Sequence, residues 1–166
     1  IQTETDGKCG RTGVIMEKYC IRKADLNDLE EIAELEQLCF PEKEAASKDI
    51  FKKRLDKYSE YFFVLTLSGK IVSMVNGMVT EQADLIDEMY CNESLHNDNG
   101  KWQMIFGVDT HPNYRKKGLA AVVMNAFIDN ARIEGRKGVV LTCKESLISY
   151  YEKFGFVSEG KSESIH

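Results

Sequence analysis

With 166 residues, 43% of them hydrophobic and 30% charged, the chain is long enough to bury one substantial core and too apolar for a disordered class. A net charge of −5 excludes the domain-wide basic field of a general nucleic-acid binder, and neither an apolar run of membrane-spanning length nor a signal-peptide pattern occurs. The cysteines Cys9, Cys20, Cys39, Cys91 and Cys143 are odd in number and lack C-x-x-C spacing, so they predict neither a disulfide framework nor a zinc site and fit a reducing cytoplasm.

Residues 1–15, IQTETDGKCGRTGVI, are polar and without period, and read as a disordered leader or a non-native extension. Met16 is the expected natural start, with a single domain over 16–166. YCIRK predicts a strand from Tyr19, leading to a helix that Asp25 caps and that turns Leu26, Leu29, Ile32 and Ala33 to one face. A second helix is expected over KEAASKDIFKKRLDKY, residues 43–58. YFFVLTL and KIVSMVNGMVT read as strands joined by a hairpin turn at Ser68-Gly69. The acidic, turn-rich residues 81–100 predict a long loop or a short helix, and WQMIFGVD one buried strand that Pro112 and Asn113 end. After Gly118, the spacing of Leu119, Val122, Val123, Ala126 and Phe127 predicts a long core-facing helix that stops at Gly135. GVVLTC is the next strand, ESLISYYEKF a short helix broken at Gly155, and FVSEGKSESIH the start of a further strand. The order describes a mixed α/β domain without repeats.

The stretch HPNYRKKGLA at 111–120 gathers Arg115, Lys116 and Lys117 where a helix begins, although cations oppose the macrodipole there. A bound anion would reconcile the two. A strand feeding a glycine turn into a helix presents unpaired backbone N–H groups to a phosphate. Gly118 lets the backbone approach closely, and the cations supply counter-charge. Neither G-x-x-x-x-G-K-[ST] nor G-x-G-x-x-G is present, so no P-loop or dinucleotide fold is predicted. Taken alone, the stretch reads equally as a solvated basic turn ahead of an amphipathic helix.

Arg115-Lys116-Lys117-Gly118-Leu119-Ala120 lies between IFGVDTHP and a long helix, and SYYEKFGF follows about thirty residues later, the separation of a βαβ unit. In this order the two motifs resemble the GNAT superfamily of acyl-CoA-dependent N-acyltransferases over roughly residues 16–160, a single domain's length. LTCKESLISYYEKFGF is most similar to its arylalkylamine N-acetyltransferase branch. The resemblance implies an α/β fold of mixed α+β type, with a central, mostly antiparallel twisted sheet, splayed central strands and flanking helices. It implies acetyl-CoA as cosubstrate and no metal. Backbone groups of Val108, Asp109 and Thr110 would pair with the pantetheine arm. The amides of Lys116, Lys117, Gly118, Leu119, Ala120 and Ala121 would hold the pyrophosphate, with Arg115, Lys116 and Lys117 neutralising it. Tyr151 would be the general acid that protonates the departing thiolate, while Phe154 and Phe156 pack. Without the upstream loop, Tyr151 would read as one more core aromatic.

The sequence departs from that branch in its base. Two histidines on the central strand relay the amine's proton there, and Met104 and Phe106 stand in their place here. The base is open among Asp109, Glu88, Glu81 and His96, with His111 a turn residue. Lys144 replaces an asparagine near the cofactor in many members, so that contact is not carried over. The strand that normally follows FGFVSEG is missing from a chain that ends at His166. Acidic residues around Glu81, Asp84, Asp87, Glu88 and Glu93 complement a cationic acceptor. The expected function is therefore acetyl transfer from acetyl-CoA to a small primary amine by direct attack. The expected setting is the cytoplasm, with no nucleic-acid or membrane partner and room for a homodimer. Cys143 ends an apolar strand with no histidine near it in sequence, which favours a structural thiol over an acyl carrier. A peptide or protein N-acetyltransferase and a non-catalytic acyl-CoA sensor are the alternatives.

Overall fold

The computed structural model describes residues 9–11 and 18–166. In chain order the elements are β1 (Cys9–Arg11), β2 (Lys18–Lys23), α1 (Leu29–Cys39), α2 (Lys48–Tyr58), β3 (Phe62–Leu67), β4 (Lys70–Asn76) and β5 (Val79–Thr80). Then come β6 (Trp102–Ile105), β7 (Gly107–Thr110), α3 (Leu119–Ile133), β8 (Gly138–Leu141) and α4 (Ile148–Glu152). Five strands pair antiparallel in the order β1-β2-β3-β4-β7, and three in the order β5-β6-β8, where β6 and β8 run parallel. Period-two alternation along β3 splits the core into two layers. Phe63 and Leu65 face α3 with its Val123, Met124 and Phe127, while Phe62 and Val64 face Ile32, Leu35, Phe51 and Leu55 of α1 and α2. Helices cover both faces, so every residue of β3 is buried and all but Thr66 are apolar.

Local chemistry moves several boundaries from their expected places. The Asp25 side chain caps a short 3-10 turn, Leu26–Asp28, in a capping box, so α1 starts only at Leu29 and Leu26 is 49% exposed instead of facing the core. α2 starts at Lys48, not at 43, because the Ser47 hydroxyl accepts from the Ile50 N–H and fixes the first turn there. The hairpin turn is as expected, with Ser68 and Gly69 both at positive φ (48° and 79°). Residues 81–100 hold two 3-10 turns, Asp87–Tyr90 and Glu93–Leu95. No strand forms over 156–166, where hydrogen bonds run instead to Asp87 and Thr142. Within the expected leader, Cys9–Arg11 pairs with β2, and Met16 lies outside the described residues. No helix among the described residues is long and apolar enough to cross a membrane.

The two long runs expected at 70–80 and 102–109 each break in two, and the break creates the site. Asn76 pairs with Gly107 and Val79 with Gln103, so three steps on one strand face four on the other. This is a β-bulge centred on Phe106, whose N–H donates to the Asn76 carbonyl at 2.8 Å. Gly77 allows it: a Cβ there would lie 1.8 Å from the Met104 carbonyl oxygen. Gly77→Ala is therefore expected to cost about 3 kcal/mol by overpacking against backbone, read as a lowered denaturation midpoint.

Candidate active site

The bulge opens a wedge in the sheet. β8 stays with β6 as far as Leu141, whereas β7 turns away to β4, and its other edge has no strand partner among the described residues. Unpaired backbone donors and acceptors along such an edge suit an extended, amide-bearing ligand. Val108 packs on the α3 side, while the Asp109 side chain turns to α1 and α2.

The basic loop lies at the wide end of this wedge. The His111 ring nitrogen Nδ1 accepts from Asn113 N–H at 3.1 Å and the His111 carbonyl accepts from Tyr114 N–H, so His111 is the expected turn residue. Arg115 Nε donates to the Thr110 carbonyl at 3.1 Å, and Lys117 Nζ lies 5.5 Å from the Tyr114 ring centre. Lys116 and Gly118 both take positive φ, 62° and 77°. That conformation costs a non-glycine residue roughly 1 kcal/mol, and strain of this kind gathers where a ligand is gripped. Gly118 is the N-cap of α3 and offers no side-chain cap, which leaves the first-turn N–H groups to an external acceptor. A Cβ at Gly118 would meet nothing within 4 Å. α1 and α2 carry acids in their first turns, as the macrodipole favours; α3 carries none and is preceded by three exposed cations. Exposed cations ahead of an uncapped helix start suit an anion.

Tyr151 stands on α4, half-buried, with Tyr150 at 5.1 Å and Phe156 at 6.0 Å between ring centres. Burial, with smaller contributions from Tyr150, Cys143 and Asp109, pushes its phenol up to about 12, so it holds its proton at any ordinary pH. It lines a cavity of about 1040 Å³ together with Leu141, Thr142, Cys143, Asp87 and Ser164. Burial pushes the Cys143 thiol up as well, away from the thiolate that an acyl carrier needs.

Beneath β7 lies a buried charge cluster. Asp109 is 0% exposed, and Glu36, Arg54 and Asn76 are buried beside it. Arg54 donates from Nη1 to Asn76 Oδ1 and from Nη2 to the Tyr90 carbonyl, both at 2.9 Å, with its guanidinium 4.7 Å from the Phe106 ring centre. Desolvation and the adjacent Glu36 hold the Asp109 carboxyl well above the usual range. Protonated, Asp109 donates to Glu36, and one carboxylate then balances Arg54.

A family model, the Acetyltransferase (GNAT) family, matches residues 29–156, most of the chain. The chain belongs to the GNAT acetyltransferase family. It is 25% identical over 93 residues to serotonin N-acetyltransferase of Mesocricetus auratus, covering 55% of this chain and 44% of that protein. It is 29% identical over 126 residues to the uncharacterized N-acetyltransferase ycf52 of Porphyra purpurea, covering 76% of this chain and 64% of the relative. The chain thus spans less than two thirds of either relative. Among solved structures, the GphF GNAT-like decarboxylase in complex with isobutyryl-CoA superposes with a TM-score of 0.68 at 22% identity, covering 82% of this chain and 72% of that one.

In this GNAT domain the basic loop follows β7 and opens α3, Tyr151 lines a cavity along β8, and the candidate bases scatter. Met104 is buried in the core, and Phe106 lies between Arg54 and Tyr90, at 4.8 Å from the Tyr90 ring. Glu81 and Glu88 are exposed, the latter bonded by Asn92 Nδ2. His96 is buried behind β5, stacked on Tyr58 at 4.9 Å; its Nδ1 accepts from Val79 N–H and its Nε2 pairs with Asp98 at 2.6 Å. Burial pulls the His96 imidazole below its ordinary value despite Asp98. The unfolded chain therefore binds this proton first as pH falls, so the His96 contribution to stability is present above about pH 6.5 and is lost on acidification. A denaturation midpoint that drops between pH 7.5 and 5.5, and drops less in His96→Gln, is the expected result. Sequence reading missed Glu36, Arg54, Tyr90 and Thr142. The available signal was a charged residue on the apolar face of an amphipathic helix, Glu36 four after Ile32 and Arg54 three after Phe51.

Proposed function

We propose that this chain transfers the acetyl group of acetyl-CoA to a small primary amine by direct attack of the amine nitrogen, acting in the cytoplasm. The observation that carries the reading is the anion cradle at the start of α3, open to solvent and continuous with the unpaired edge of β7. A phosphate-bearing ligand with an extended amide arm fits that combination of groups. Relatives named N-acetyltransferases and a fold neighbour solved with an acyl-CoA support the same ligand class. In this reading the amides of 116–121 and the side chains of Arg115, Lys116 and Lys117 hold the pyrophosphate, and backbone groups of Val108, Asp109 and Thr110 hold the pantetheine arm. Acetyl-CoA supplies an activated acyl group whose leaving thiolate needs a proton. Tyr151, a phenol kept neutral by burial, gives that proton from within the cavity. The acidic turn of Asp87 and Glu88 beside the cavity favours a cationic acceptor.

The test is calorimetric binding of coenzyme A together with thiol release from acetyl-CoA across arylalkylamines, polyamines and short peptides. Amine-dependent release is the expected result. Release with peptides alone would move the acceptor to polypeptide amines, and coenzyme A binding without release would leave a sensor.

A further inference from the structure

Amine attack requires that the ammonium first lose a proton. Asp109 is sealed at 0% exposure, Glu81 and Glu88 point to solvent, and His96 has both ring nitrogens engaged behind β5. One further imidazole faces the wedge. Past Phe156 the chain folds back to the turn Asp87–Tyr90. Ser164 Oγ donates to one Asp87 oxygen, and Ile165 N–H donates to the other at 3.2 Å. His166 N–H donates to Ser164 Oγ at 3.1 Å, and Thr142 Oγ1 donates to the His166 carbonyl at 3.2 Å. These bonds lay the His166 ring on Tyr90, with centroids 4.1 Å apart and planes at 22°. Tyr90 in turn contacts Phe106 at the bulge, and its hydroxyl lies 3.0 Å from Thr142 Oγ1 just beyond β8. The exposed imidazole thus sits on Tyr90, close to where β7 and β8 part, and Asp87 and Thr142, which hold its segment, line the cavity together with Tyr151.

We propose that His166 is the base that takes the acceptor amine's proton, with Asp87 as the positioning residue that holds the segment and its charge in place. The assignment rests on the acetyl-transfer reading above. The charged and titratable groups around the ring are the Asp87 carboxylate, itself held low by Ser164, Ile165 and His166, and the hydroxyl of Tyr90; the nearby guanidinium of Arg54 is committed to Asn76 and the Tyr90 carbonyl. An anion facing an imidazole stabilises the imidazolium formed when the proton arrives. The ammonium gives one proton to the imidazole, and the freed nitrogen pair forms the C–N bond while the carbonyl pair moves to oxygen. When that pair returns, the C–S bond breaks and sulfur takes the Tyr151 proton. The proton left on the new amide nitrogen restores Tyr151, and His166 releases its own to water.

The experiment compares His166→Asn, His166→Ala and wild type over a pH range with an amine that the wild type acetylates. The expected result is a kcat/KM lower by about 10²-fold, loss of the acidic limb of the pH profile, and an unchanged KM for acetyl-CoA. Added imidazole should restore His166→Ala and leave Tyr151→Phe unrescued. In the wild type without acetyl-CoA, the NMR signal of the His166 imidazole should move when the amine is added, and Asp87→Asn should shift the acidic limb. Variants within twofold of wild type, with the limb intact and no imidazole rescue, would overturn the assignment while leaving acetyl transfer standing. A wild type without amine-dependent release would overturn both.

Discussion

Replacing Arg115, Lys116 and Lys117 together by alanine is expected to weaken coenzyme A binding by about 10²-fold, from roughly three charge-assisted contacts of about 1 kcal/mol each. The same change should leave the fold as stable as before, or slightly more so. All three side chains are exposed, none sits in a salt bridge among the described residues, and their charge opposes the α3 dipole. Loss of binding without loss of stability separates an anion site from a solvated turn, for which neither quantity would move. Two single variants sharpen the test. Gly118→Ala forces a Cβ into φ +77° and should cost about 1 kcal/mol of stability, whereas Lys116→Gly removes the same kind of strain at φ +62° and should return a similar amount. Binding by the wild type should also weaken with salt, and the triple variant should lose most of that dependence. Titration calorimetry at two ionic strengths, with thermal denaturation alongside, reads all of these.

What the sequence revealed and what it hid follow from the range of the interactions. The α3 stripe, the Ser68-Gly69 turn and the cation-glycine loop are local patterns: spacing, turn propensity and charge within ten residues determine them, and they stand where they were expected. Met124 and Ala131 extend the stripe beyond the residues read from it. The bulge at Phe106 is different in kind. It depends on Gly77 meeting Met104, residues far apart in sequence, so a run such as WQMIFGVD carries no mark of where it changes partner. The Glu36–Asp109–Arg54 cluster likewise joins three elements. Asp109 is legible as part of a strand, but the alternation that turns its side chain towards α1 and α2 follows only from the pairing of β7 with β4. The C-terminal segment reads as a strand from its composition, yet its backbone is claimed by Asp87 and Thr142.

Tyr151→Phe is expected to lower kcat by about 10²- to 10⁴-fold with little change in KM for acetyl-CoA or in stability, because the ring and its packing against Tyr150 and Phe156 are kept. A tyrosine that merely packs would give a phenylalanine variant of nearly full rate. The phenol's displacement to about 12 bears on both the pH profile and the chemistry. A donor must be protonated to act, so Tyr151 should impose no alkaline loss of rate until pH nears that value. A phenol so weakly acidic can protonate sulfur only if the departing thiolate is itself desolvated and equally reluctant to remain an anion, as it would be in the same half-buried cavity. The need for a proton donor should then scale with the basicity of the leaving thiol. Acetyl thioesters of strongly acidic aryl thiols expel a stable thiolate, so the gap between wild type and Tyr151→Phe should narrow steeply with them and remain wide with acetyl-CoA. A constant gap across leaving groups would mean that the hydroxyl acts by placing the substrate and not by giving its proton.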